Sequence, residues 1–206
     1  ALWTTLDSLP LYPNAIKIAK DVKNYWVWSN FAEKEFARLG HDHIKTVHGA
    51  INHESFYRLE DEERKHLRNK FKIEEDAFVI GFVFRNQLRK SVPNLIEGYA
   101  LWKETYKPNK KTYLLFHTSW KEGWNIHRLC DEYGVPKEEL LTTHVCKNCK
   151  SFYVKPYEGE DKTCELCSKE KSQVTCSVTL GIEENQLNQV YNLMDVYCHP
   201  FTSGGQ

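Results

Sequence analysis

Residues Phe78–Tyr99 read FVIGFVFRNQLRKSVPNLIEGY, and this stretch decides the fold. Phe78 to Phe84 is an apolar run broken only by Gly81, short and apolar on both faces, as expected of a strand buried on both sides of a sheet. A polar loop, Arg85 to Lys90, follows. Ser91 stands where a helix cap belongs, and Pro93 falls in the first helical turn, where its missing N–H costs nothing. Val92, Leu95, Ile96, Tyr99 and Ala100 then share one helical face. The pattern predicts strand, loop and helix, with Arg85 and Lys90 beside a helix N-terminus. Such a terminus offers N–H groups and a positive dipole end to an anion, so the element reads as a diphosphate site. Its plain alternative is a βα loop carrying two ordinary surface cations.

Working outward, the same rhythm recurs. Thr112–Phe116 is an apolar strand, and Ile126, Leu129, Cys130 and Tyr133 mark a helical face stopped by Gly134. Leu140–Val145 and Val174–Leu180 read as further strands. Leu187, Val190, Tyr191 and Met194 mark a helix, and Val196–His199 a last strand. Strands alternating with helices predict an α/β fold, a Rossmann-like doubly wound parallel sheet covered on both faces. Ligands of such sheets sit beyond the carboxyl ends of the strands. Arg85, Thr118 and Gly181 are each expected to follow a strand end and to crowd one edge. Upstream, Tyr25–Trp28 and Ile44–Val47 are short strand candidates, with a helix between them capped by Ser29 and ended by Gly40. Residues 1–24 show little pattern. Residues 53–75 carry mixed charge and read as a solvated connection with a helical piece around Glu60–Phe71.

Two pairs of cysteines interrupt the alternation. Cys146-x-x-Cys149 and Cys164-x-x-Cys167 lie 14 residues apart across a polar, turn-rich segment. Each C-x-x-C turn can present two thiolates, and two such turns build a tetrahedral site for a structural zinc ion. We expect a zinc ribbon over 144–175, closed by four thiolates and therefore not catalytic. Reduced vicinal pairs or a redox C-x-x-C are the alternatives. His144 and Cys176 flank the loop as lesser ligand candidates. Cys130 and Cys198 read as small core residues.

Composition narrows the function classes. The formal net charge of the 206 residues is zero, against a general nucleic-acid or membrane-surface binder. No apolar run approaches the roughly 20 residues of a membrane span, and Ala1 opening directly into mixed polar sequence leads us to expect no signal peptide. Seven cysteines, four of them in C-x-x-C pairs, favour a reducing compartment, and a cytoplasmic location is expected. Neither G-x-G-x-x-G nor G-x-x-x-x-G-K-[ST] occurs, against dinucleotide and P-loop binders.

With these residues laid out, the chain resembles the retaining glycosyltransferases of the GT-B fold, family four. Phe82-Val83-Phe84-Arg85, with Lys90 five positions on, is similar to the family's strand followed by the two cations that bind the donor diphosphate. Val178-Thr179-Leu180-Gly181-Ile182, then Leu187, Tyr191, Asp195-Val196 and Pro200, is similar to its strand ending in Gly and the helix and strand after it. Ser29 to Gly40 resembles the last βα unit of the acceptor domain, and His48-Gly49-Ala50-Ile51-Asn52 the crossing between domains. The histidines there, His41, His43, His48 and His53, read as surface or interdomain residues.

The resemblance implies a division of the chain: 1–50 as the last part of an acceptor domain, 51–75 as the connection, and 76–206 as a nucleotide-sugar-binding domain incomplete at its C-terminus. It implies donor diphosphate contacts from Arg85, Lys90, Ser203, Gly204 and Gly205, and base contacts from Gly181, Ile182 and Leu187. It implies transfer of a hexosyl group from a nucleoside diphosphate sugar to an acceptor hydroxyl on a glycan, lipid or protein, with retention and no catalytic metal. Two departures stand out. The zinc ribbon is foreign to the family core, and Gly204 stands where the first of the family's two glutamates is expected. The 206 residues alone are expected to bind donor without transferring sugar. The rival reading is a zinc-ribbon module binding nucleic acid or protein on an α/β scaffold; the acidic stretch Glu158-Gly159-Glu160-Asp161 speaks against nucleic acid.

Overall fold

A computed structural model describes residues 1–6 and 9–200. The chain divides into two compact units, one running Ala1–Asn52 and the other starting at His53. The first unit is a small parallel sheet in the order β1 (Leu2–Thr4), β2 (Tyr25–Val27), β3 (Lys45–Thr46). Helices α1 (Pro13–Asp21) and α2 (Asn30–Arg38) pack Ala19, Ala32 and Phe36 onto Tyr25 and Val27. Ser29 caps α2 as expected, accepting from the Ala32 N–H at 3.3 Å. Residues 1–24, which carry little pattern in sequence, thus supply a strand and a helix.

The second unit is organised by the opening stretch. β4 (Phe78–Val83) lies between β5 (Thr112–His117) and β9 (Val196–Tyr197), parallel to both, and β6 (Leu140–Cys146) runs parallel on the far side of β5. Period-two alternation sends Phe82, Leu114 and Phe116 to one face, under α4 (Val92–Tyr106) and α5 (Ile126–Tyr133). It sends Val79, Tyr113 and Leu115 to the other, under α3 (Asp61–Lys70) and α6 (Glu184–Leu193). Both faces are covered, which is why these strands read as continuous apolar runs. Gly81 is required on the second face, because a Cβ there would fall 2.0 Å from the Met194 sulfur. β9 is pinned beside β4 by Asp195. Its carboxylate accepts from the Val79 N–H at 2.8 Å and from Arg68 at 2.7 Å, and it also meets Arg64. Burial works against that charge, but Arg64, the Val79 N–H and Arg68 together hold the carboxyl below the usual range.

Two local expectations need correction. Ser91 precedes α4 but does not cap it. It sits in the left-handed region at φ +49°, with no side-chain bond to the helix. The 3₁₀ turn Leu88–Lys90 runs straight into Ser91, which keeps it out of the extended conformation a capping residue adopts. Nor is Val174–Leu180 a strand of the parallel sheet. Only β8 (Gln173–Thr175) forms, antiparallel to β6, and residues 176–183 run irregularly to α6. The reason lies in β6, which is longer than its parallel neighbour allows. β5 pairs with Leu140–Thr142 and then leaves the sheet, so the exposed edge at His144–Cys146 is taken over by β8. β7 (Phe152–Pro156) pairs antiparallel along the other edge of β6.

Candidate functional site

The four ribbon cysteines converge. Their sulfurs all lie within 4.8 Å of one another, with Cys146–Cys167 and Cys149–Cys164 each at 3.7 Å. A tetrahedral four-thiolate site with the 2.3 Å bonds usual for zinc has edges of about 3.8 Å, so one metal ion fits this spacing. All seven cysteines are free thiols. The two turns are built alike. Lys150 N–H donates to Cys146 O at 3.1 Å, and Ser168 N–H to Cys164 O at 2.9 Å. The residue after each pair, Lys150 or Ser168, takes a left-handed φ, +60° and +55°. Cys146 Sγ accepts from the N–H groups of Asn148 and Cys149 at 3.3 and 3.4 Å, and its thiol donates to Ser172 Oγ at 3.2 Å.

Burial opposes thiolate formation at Cys164. The N–H groups of Cys167 and Leu166, with the Ser151 and Tyr153 hydroxyls, overcome it and lower the thiol to about 5. Cys146 is lowered in the same way. Against the Lys169 N–H, hydrogen bonding to Cys149 and Cys164 raises Cys167 instead, so one thiolate in each turn, Cys146 and Cys164, is favoured, and thiolates are the metal-binding form. Burial instead raises Cys176 to about 12 and Cys130 to about 11, which leaves both as inert core thiols. His144 lies outside the four-sulfur cluster, its ring parallel to Tyr157 at 6.2 Å.

A pocket of about 270 Å³ opens at the carboxyl ends of β4 and β5, the edge where a doubly wound sheet binds ligands. Its walls are Val83–Arg85, then His117–Ser119 with Glu122, then Cys176–Val178. Arg85 is exposed and reaches Glu122 at 3.2 Å. Two polar atoms on this edge, His117 Nδ1 and Thr118 Oγ1, are buried with no hydrogen-bond partner among the described residues. Burial holds His117 neutral, lowered to about 4. Arg85 and Thr118 are therefore brought together as the strand ends predict.

The remaining predicted residues are placed apart from this pocket. Lys90 ends the 3₁₀ turn before α4, half-buried, its ammonium lowered by burial and by Arg89. Gly181 is exposed in the segment after β8, whereas Ile182 and Leu187 pack partly against the core under α6. None of these four lines the pocket. Gly181 does not follow a strand end, because the strand expected before it is absent. Ser203, Gly204 and Gly205 lie outside the described residues.

Several organising residues carried no sequence signal. Asn86, 1% exposed, donates from Nδ2 to the carbonyls of Glu122 and Trp124. Its Oδ1 accepts from the Trp124 N–H at 3.0 Å. It thereby ties the loop after β4 to the loop after β5. Gly123 makes room for this at φ +62°, since a Cβ there would meet Asn86 O at 2.1 Å. Trp120 is bolted to the ribbon. Its indole N–H donates to Thr142 Oγ1 at 2.9 Å, its backbone N–H to Thr175 Oγ1 at 3.3 Å, and its ring stacks on Tyr157 at 4.0 Å. The acidic stretch is also engaged: Glu160 accepts from Thr175, and Asp161 pairs with Lys147 and Lys121. An Asn or Trp three positions past a strand end is too common a feature to mark such roles in advance.

No protein-family model matches the chain, and no curated protein matches it in sequence. Its structure is similar to the crystal structure of a glycosyltransferase from Rickettsia africae ESF-5, with a TM-score of 0.58 and 13% identity. The match covers 97% of this chain and 45% of that one, so the chain spans less than half the length of that protein. The mixed α/β architecture with its parallel sheet is thus a glycosyltransferase-like fold, and it carries a four-cysteine cluster compatible with a zinc ribbon. Among the described residues no helix is long and apolar enough to cross a membrane.

Proposed function

We propose that this chain is the nucleotide-sugar-binding part of a retaining glycosyltransferase of the GT-B type, family four, fitted with a structural zinc ribbon. The observation that carries the reading is the pocket at the strand ends, lined by a guanidinium, Arg85, and by His117 and Thr118, whose buried Nδ1 and Oγ1 have no hydrogen-bond partner among the described residues. A nucleoside diphosphate supplies hydrogen-bonding oxygens for the polar atoms and anionic oxygens that would compete with Glu122 for the cation. Arg85 binds the diphosphate, with Lys90 and the N-terminus of α4 contributing positive potential from the same loop. As the sugar leaves, charge builds on the diphosphate, so these cations stabilise the transition state more than the ground state. No catalytic metal is needed for that neutralisation.

Gly181, Ile182 and Leu187 border the base, and Ser203, Gly204 and Gly205 supply further phosphate contacts. Residues 1–50 belong to the acceptor side, 51–75 connect, and 76–206 hold the donor. The zinc ion sits on Cys146, Cys149, Cys164 and Cys167, where its role is to fold the ribbon. A hexosyl group is the transferred unit and a hydroxyl its acceptor. The test is calorimetric titration with UDP, GDP, ADP and dTDP. One of them binds in the micromolar range and Arg85→Ala weakens it; binding of none of the four, or no effect of the substitution, overturns the reading.

A further inference from the structure

The ribbon and the pocket are not independent. Of the three pocket walls, one, Val83–Arg85, is the end of β4 and the chain just after it. A second, Cys176–Val178, is the chain leaving β8, the last strand of the ribbon. The third, His117, Thr118, Ser119 and Glu122, flanks Trp120, which reaches Thr142, Thr175 and Tyr157 on the side of the ribbon and His127 of α5 on the other. These contacts form a relay. Glu160 Oε1 and Oε2 accept from the Thr175 hydroxyl and N–H, which orients the hydroxyl oxygen to accept from the Trp120 N–H. Thr142 is oriented likewise, donating to Phe116 O at 2.8 Å and accepting the indole N–H. The Tyr157 ring closes the indole from one face, at 4.0 Å and 8° between planes, and His127 meets both rings at 4.9 Å. Tyr157 and Glu160 lie in the stretch between the two cysteine pairs, so the metal-bound turns bracket both of them.

We infer that the metal-loaded ribbon sets the shape of the pocket, with Tyr157, Glu160 and Thr175 acting as positioning residues for the 118–122 loop through Trp120. This rests on the donor-site reading for the identity of the ligand, but not for the coupling itself. Its consequence is that affinity for the anionic ligand follows metal occupancy, although no metal touches the ligand. A rigid loop binds more tightly than one that must be ordered on binding, because the ordering cost has already been met.

The test uses the full chain and two variants, Tyr157→Ala and Tyr157→Phe. Tyr157 does not line the pocket, and the Phe variant keeps the ring that stacks on Trp120. For whichever of UDP, GDP, ADP or dTDP binds the unaltered chain, we expect Tyr157→Ala to weaken binding about tenfold. Zinc content should stay at one per chain, the melting temperature should be unchanged, and Tyr157→Phe should bind as the parent does. Parent-like affinity in Tyr157→Ala, or equal loss in both variants, overturns the inference.

If none of the four nucleotides binds, the donor reading has failed and the coupling is read on the ligand-free protein. Hydrogen exchange at the Trp120 amide should then rise at least tenfold in Tyr157→Ala and after chelation of the metal, and not in Tyr157→Phe. Unchanged exchange in the first two overturns the coupling.

Discussion

The four-cysteine cluster and the pocket beside it are built in opposite ways. Each cysteine turn is local: two ligands three residues apart, their sulfurs fed by N–H groups of the same turn. The pocket is assembled from separate stretches, around residues 83–85, 117–122 and 176–178, that meet only when the sheet forms. A site made of short-range geometry can be read from spacing. A site made of long-range geometry can be read only as far as the topology can. The difference also sets what each site costs to lose, and the following experiments press on it.

The largest effect belongs to the local site. Structural zinc contributes on the order of 10 kcal/mol to units of this kind. Cys164→Ser, or chelation, should therefore unfold the ribbon, with metal analysis giving one zinc per chain before and none after. The damage is expected to stop part-way along β6. Leu140–Thr142 pairs with β5, whereas His144–Cys146 pairs only with ribbon strands, so hydrogen exchange should rise in β7, β8 and the second half of β6 and stay low in β4 and β5. Phe152 and Val154 of β7 also pack into the core under α3 and α6, so some loss of overall stability should accompany it. Protein freshly purified without zinc would break the comparison at its root.

Next is the long-range pin of the sheet. Asp195→Ala leaves Arg68, whose side chain is 3% exposed, as a charge without its carboxylate. Breaking a buried pair in this way costs 3–5 kcal/mol, and we expect about 3 because Asp195 itself is partly exposed. Urea denaturation measures it. The same pair gives a pH dependence. The carboxyl is lowered in the folded protein, so its contribution is fully present above the unfolded value near 4 and is lost as pH falls through the folded value. Acid denaturation of the parent should therefore steepen below about pH 4, and Asp195→Ala should lack that component.

The pocket itself comes third. Arg85→Ala is expected to weaken nucleoside diphosphate binding by about 1.5–3 kcal/mol, the range for a charge-assisted hydrogen bond, and to leave nucleoside binding nearly unchanged. Lys90→Ala should cost less, because Lys90 does not line the pocket. Equal losses for nucleoside and diphosphate would mean that the substitutions act through folding.

What could be read in advance follows the same division. The alternation of apolar runs gave β4, β5, β6 and the helices between them, because each element declares itself within its own residues. The ligand set of the cysteine cluster was legible for the same reason. The Val174–Leu180 run was misleading. It is apolar enough for a strand, but its fate depended on β5 leaving the sheet early and on β6 needing a new partner at His144–Cys146. Asn86 and Trp120 were illegible because their meaning lies in carbonyls and hydroxyls more than 20 residues away.

The smallest expected effect is the cleanest discriminator for the base-binding residues. Gly181 is exposed, and a Cβ built on it meets nothing within 4 Å among the described residues. Its φ is not in the left-handed region, so alanine is not strained there. Gly181→Ala should therefore change stability by no more than about 0.5 kcal/mol, as for an ordinary surface substitution. Any change in ligand affinity must then come from the added methyl meeting the ligand. A base lying against Gly181 would be pushed back, and the loss should be a few-fold, equal for nucleoside and nucleoside diphosphate because both carry the base. Leu187→Ala cannot give so clear an answer, since Leu187 also packs against the core. Titration of the Gly181→Ala chain with matched nucleoside and diphosphate decides it. Unchanged affinity for both would move the base away from Gly181 and leave the diphosphate contacts proposed around Arg85 untouched.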